Sequence, residues 1–154
     1  AVEGYLNTQR FYVLVEPENF DIALGTYDRL RREKKAYGVG LINARGLEQY
    51  DKAPEGTLAS VVTSKNPYAR RFVNMVLAKV QMCSRYEDLK KYPVSITREC
   101  MKYQNRAASA IRPEIFRVPF IGQNAFKVQL EQAKTERKEL ESLVGELEGR
   151  LENP

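Results

Sequence analysis

The C-terminal end of the chain constrains its fold most. In LEQAKTERKELESLVGELEGRL, Leu130, Ala133, Arg137, Leu140, Val144, Leu147 and Leu151 recur at alternating steps of three and four, and Phe126 begins the same series. That is a seven-residue repeat. It lays a narrow stripe along one side of a helix, and such stripes pack on another helix. A helix from Gln123 onward is a rod of roughly 40 Å at about 1.5 Å per residue. Alone in water such a helix is marginal, and Gly145 and Gly149 each weaken it by about 1 kcal/mol relative to Ala. It needs a partner. It can lie on the domain's own core, or it can be one strand of a coiled coil. The strict seven-fold spacing and the Glu- and Lys-rich remainder favour the coiled coil, yet no other segment of the 154 residues carries a matching stripe.

The remaining residues make about one domain, enough to bury a core. We expect an α/β domain over residues 1–122 and a coiled-coil segment over 123–154. The two differ in charge: 20 Lys/Arg against 13 Asp/Glu in the first, 5 against 7 in the second. A basic domain suggests a polyanionic partner. No run of about 18 apolar residues offers a membrane span. The N-terminus has no signal-peptide layout. It lacks an initiator Met and begins on a helix-like pattern, so a piece of a longer protein is expected. Two isolated cysteines, Cys83 and Cys100, and no histidine argue against a zinc site and His-based catalysis; reduced core thiols are expected. Neither GxxxxGK[ST] nor GxGxxG occurs, so these residues predict no phosphate loop.

Along the chain, residues 1–8 predict the end of a helix with Val2, Tyr5 and Leu6 on one side. RFYVLVE (10–16) predicts a buried strand, and Pro17 starts a helix over 18–36 with Phe20, Ala23, Leu24, Tyr27 and Leu30 at helical spacing. Gly38 is expected to cap that helix, and 39–43 to form a strand, which completes a βαβ order. Residues 57–63 suit a strand or a short helix. Asn66-Pro67 opens a helix to residue 80, with Phe72, Val73, Val76, Leu77 and Val80 as its apolar face. Then follow a strand at 80–83, a short helix at 86–92, two strands around Gln104–Asn105 and a Pro-bounded connector.

Carboxylates form no catalytic pair; Glu16, Glu18, Asp21, Glu87 and Asp88 stand where helix starts favour acids. No nucleophile elbow is present. The basic clusters are RLRREKK, with Arg31, Arg32, Lys34 and Lys35, and ARR, with Arg70 and Arg71. They suit a solvated helix end, or a patch that contacts nucleic-acid phosphates without sequence preference. Gly40, inside a strand, marks a bulge or the close approach of another backbone, either within the chain or from a second copy at a sheet edge.

The order of AVEGYLNTQRFYVLVEP, RLRREKKAYGVGLIN, NPYARRFVNMVLAKVQMC, ITRECMKYQNRAA and PFIGQNA before a long coil resembles the hinge of SMC-like ATPases. The nearest likeness is to the MukB/MksB type, and within it to the SMC-like subunit of bacterial Wadjet plasmid-defence complexes. The resemblance implies a compact hinge that homodimerises and joins two coiled-coil arms. In a hinge of this kind the glycine-containing run Val39, Gly40, Leu41 and Ile42 is the expected pairing surface, and the basic clusters Arg31, Arg32, Lys34, Lys35, Arg70 and Arg71 are the expected sequence-independent contacts with double-stranded DNA. The resemblance also implies a kleisin partner, a nuclease in the Wadjet case, and a location in the cytoplasm on nucleoid or plasmid. ATP and magnesium would belong to a head domain outside these residues, so no cofactor and no enzymatic activity are expected within them. The rival reading is a nucleic-acid-binding adaptor that dimerises through its coil. A small enzyme domain is disfavoured by the missing His and paired acids.

Overall fold

The computed structural model describes residues 1–152 as a mixed α/β domain with a long C-terminal helix. Its centre is helix α3, Pro67–Leu77. Pro67 sits in the first turn, where its missing N–H costs nothing, and Asn66 Oδ1 accepts the Ala69 N–H at 3.1 Å as an N-cap. Two sides of α3 face two separate cores. Leu77, with Val73 and Val76, packs on Leu6, Leu58, Ala59, Val80 and Ile96. Tyr68, Phe72 and Met75 pack on Ile42, Ala44 and Leu47. Buried Asn74 on the same helix donates from Nδ2 to the Tyr50 carbonyl at 2.7 Å.

Around this helix lie two sheets. Strands β1 (Val13–Val15) and β2 (Leu41–Asn43) pair in parallel, with Val13 opposite Leu41 and helix α2 (Phe20–Lys34) between them in sequence. The second sheet has the order β3-β4-β5-β6, formed by Gln81–Cys83, Val94–Thr97, Met101–Gln104 and Ala107–Ala110. Its first pair is parallel and the others are antiparallel. The β5–β6 hairpin turns on Asn105 and Arg106, both with positive φ, at 53° and 61°. That is the two-residue turn that matches the natural twist of the strands. Helix α1 (Val2–Leu6) and one-turn α4 (Pro113–Phe116) flank the sheets, and α5 (Ala125–Glu152) leaves the domain. No described helix is long and apolar enough to cross a membrane.

The βαβ order, the hairpin and the three longer helices, α2, α3 and α5, stand within a few residues of where the sequence places them. Several details differ. The expected strand at 10–16 is three residues long, because residues Asn7–Phe11 coil into a 3₁₀ turn; Val13 within it is 49% exposed. A two-stranded sheet cannot cover both faces of its strands. Helix α2 has no fully buried residue: Phe20, Ala23 and Tyr27 are half-buried, while Ile22 is 72% and Leu24 49% exposed. Residues Leu58–Val61 form a 3₁₀ turn that buries Leu58 and Ala59. The residue that ends α2 in the left-handed region is Lys35, φ 54°, and Gly38 lies in the following turn. At Gly40 the close approach is made by a side chain: a Cβ there would stand 2.3 Å from the ring of Tyr12.

Candidate functional site

The place where α5 meets the domain is built from the first eleven residues. Glu3 on α1 accepts the Phe120 N–H at 2.9 Å and the Ile121 N–H at 3.0 Å with one carboxylate oxygen, and Arg10 Nη1 at 3.3 Å with the other. The Arg10 side chain is 8% exposed. Its Nη1 also donates to the Ile115 carbonyl, and its guanidinium lies 4.8 Å from the Phe11 ring centre and 5.0 Å from that of Phe120. Those two rings meet edge to face at 5.0 Å, a favoured aromatic geometry. The Glu3 carboxylate is satisfied by two backbone N–H groups besides Arg10, whereas the buried Arg10 Nε has no hydrogen-bond partner among the described residues, so the pair leans on the Ile115 carbonyl and the two rings.

From the connector the ties continue into α5. Gln129 Nε2 donates to the Pro119 carbonyl and Gln132 Nε2 to the Arg117 carbonyl, the latter at 3.2 Å, while Ala125 is buried. N-terminal helix, connector and helix root are thus one hydrogen-bonded unit. Sequence reasoning missed Glu3 and Arg10. Glu3 acts on a backbone 117 residues away, and no local pattern encodes that.

Beyond this root α5 is bare. Every residue from Glu131 to Leu151 is exposed, so the helix does not lie on the domain's own core. Phe126, Leu130, Ala133, Leu140, Val144, Leu147 and Leu151 are all exposed, and Arg137 pairs with Glu141 at 2.7 Å on the same helix. The stripe is covered by nothing among the described residues.

The basic residues divide into two groups. At the end of α2, Arg31 and Arg32 both reach Asp28 at 2.6 Å. The Arg31 hydrogen bond, with the charge of Arg32 added, holds the Asp28 carboxyl below its ordinary range. Lys34 and Lys35 are exposed and make no ion pair among the described residues. On α3 the arginines are engaged in the fold. Arg70 donates from Nη1 to the carbonyls of Ala59, at 3.0 Å, and Val62, closing the 3₁₀ turn against the helix. Arg71 Nε bonds Asp51 at 2.6 Å. Arg70 therefore serves as a strut rather than a free surface cation.

Of the four residues proposed to pair, Val39 is exposed and Gly40 and Leu41 are half-buried, but Ile42 is buried in the core beneath α3. Its side chain is committed within the chain. Other apolar side chains of the same βαβ unit do reach solvent: Val13 on β1, and Ile22, Leu24 and Leu30 on α2. Cys83 and Cys100 are buried free thiols, and burial pushes the Cys83 thiol up, away from a reactive thiolate. No protein-family model matches the sequence, and no curated protein is significantly similar to it.

Proposed function

We propose that this domain is the dimerisation hinge of an SMC-like ATPase that handles chromosomal or plasmid DNA, with α5 as one strand of an antiparallel coiled-coil arm. The observation that carries the reading is the root of α5. A long helix with a seven-residue stripe leaves the domain uncovered, and its base is tied through Glu3, Arg10 and Phe120 to the N-terminal segment. A device that joins two arms needs both chain ends held rigidly at one place, so that load on one arm reaches the other. The exposed apolar residues of the βαβ unit, Val13, Val39, Ile22 and Leu24, supply the surface for a second copy. Lys34 and Lys35, with Arg31 and Arg32, supply a site for phosphates of duplex DNA. In this reading the ATPase head, kleisin and any nuclease lie outside these residues.

The rival reading, an adaptor that dimerises through its coil, draws on the same exposed stripe. Deleting residues 125–154 separates the two. Neither buried core draws on α5, so the remaining domain keeps its interior. A dimer by light scattering supports the hinge; a monomer supports the adaptor and refutes the hinge.

A further inference from the structure

A cleft of about 360 Å³ opens between the N-terminal segment, the end of α3 and strand β5. Lys79, just beyond α3, and Lys102, on β5, line it, and no carboxylate does. Lys102 is half-buried and Lys79 exposed, and neither makes an ion pair among the described residues. Two cations beside one cleft that holds no carboxylate favour a bound anion.

The rest of the wall is mostly neutral and polar. The Tyr5 hydroxyl donates to Gln104 Oε1 at 3.5 Å, which leaves both protons of the Gln104 amide nitrogen for the cleft. Burial raises the Tyr5 phenol above its ordinary range, so it stays a donor. Asn7 and Gln9 add further amides. Asn7 also adopts φ 49°, ψ −124°, a conformation that residues other than glycine avoid and that recurs where a backbone is shaped around a ligand.

We propose that this cleft binds a phosphate group, with Lys79 and Lys102 supplying the charge and the amides of Asn7, Gln9 and Gln104 the neutral hydrogen bonds. It is separate from the lysines at the end of α2 and does not depend on the hinge reading.

Thermal unfolding of the full chain in pyrophosphate, against sodium chloride of equal ionic strength, tests it. A specific site raises the melting temperature of the wild type by mass action. The rise is abolished in the Lys79→Gln/Lys102→Gln double variant and kept in Lys52→Gln/Lys65→Gln, two exposed lysines that do not line the cleft. No rise in the wild type, or an equal rise in the Lys79/Lys102 variant, overturns the site. Should that variant fold poorly, amide NMR of the wild type decides. Pyrophosphate shifts confined to Tyr5, Asn7, Gln9 and Gln104 support the site, and shifts spread over the surface refute it. The source of the phosphate is read with a nucleoside monophosphate and a short oligothymidylate. Binding of the oligonucleotide at least about tenfold tighter, and lost with Lys79 and Lys102, assigns the cleft to a strand backbone. Equal affinities assign it to a free nucleotide.

Discussion

Helices α2 and α3 both begin near a proline and both carry apolar residues at helical spacing, yet they sit in opposite surroundings. Helix α3 lies between two cores, and its Leu77 is completely buried. Helix α2 has 15 residues and fully buries none. What separates them is the density of large apolar side chains. Tyr68, Phe72, Val73, Met75, Val76 and Leu77 leave α3 little polar surface, while Arg29, Arg31, Arg32, Glu33 and Lys34 crowd the last two turns of α2. A helix like α3 is held by what it covers. A helix like α2 stays attached through its half-buried Phe20, Ala23 and Tyr27 and leaves Ile22, Leu24 and Leu30 in solvent.

This contrast can be broken most directly at its strongest point. Leu77→Ala should cost about 2–5 kcal/mol, since it opens a cavity at the junction of helix and sheet, whereas Ile22→Ala should change monomer stability by less than about 0.5 kcal/mol. Urea denaturation of both variants measures the difference. Similar losses would mean that α2 is covered after all. In a hinge, Ile22→Ser with Leu24→Ser should instead shift the protein from dimer to monomer by light scattering.

Next in size is the clasp. Glu3→Ala leaves the Arg10 guanidinium buried without its charge partner and should cost about 3 kcal/mol. Limited proteolysis should then cut the connector at 117–124 faster than in the wild type. An unchanged cleavage rate would show that α5 is not rooted through Glu3.

Two smaller effects probe the βαβ unit. Gly40→Ala drives a Cβ into the Tyr12 ring and should cost about 1–3 kcal/mol in thermal unfolding. Lys35→Gly relieves the left-handed residue at the end of α2 and should stabilise by about 0.5–1 kcal/mol.

The smallest effect on folding is electrostatic. The Asp28 carboxyl is lower in the folded chain than unfolded, so its contribution is present above the unfolded value and fades as pH falls through the folded one. Asp28 is well exposed, so the loss of α2 helicity by circular dichroism on acidification should be slight. Asp28→Asn should nonetheless strengthen binding to random duplex DNA at low salt, because it frees Arg31 and Arg32. Unchanged binding would remove the end of α2 as a phosphate site.

Local chemistry made much of the architecture legible. Asn66-Pro67 marked the start of α3, Asn105 the hairpin, and the three-four spacing the whole of α5. The candidate site was less legible. Lys34 and Lys35 could be named from sequence because an exposed helix end is a local property. Arg70 could not be told from them, since the carbonyls that engage it belong to another turn of the chain. Ile42 and Val39 looked alike in an apolar run, and only the arrival of Phe72 and Met75 from α3 made one core and left the other exposed.

Sequence alone determined that this chain has an α/β domain followed by a helix in need of a partner, because backbone preference and side-chain periodicity act over a few residues. Tertiary structure alone decided which faces are covered, that Glu3 and Arg10 hold the root of α5, and that Lys79 and Lys102 share a cleft free of carboxylates. Those are contacts between segments distant in sequence. They form only when burial of the cores around α3 has brought the segments together.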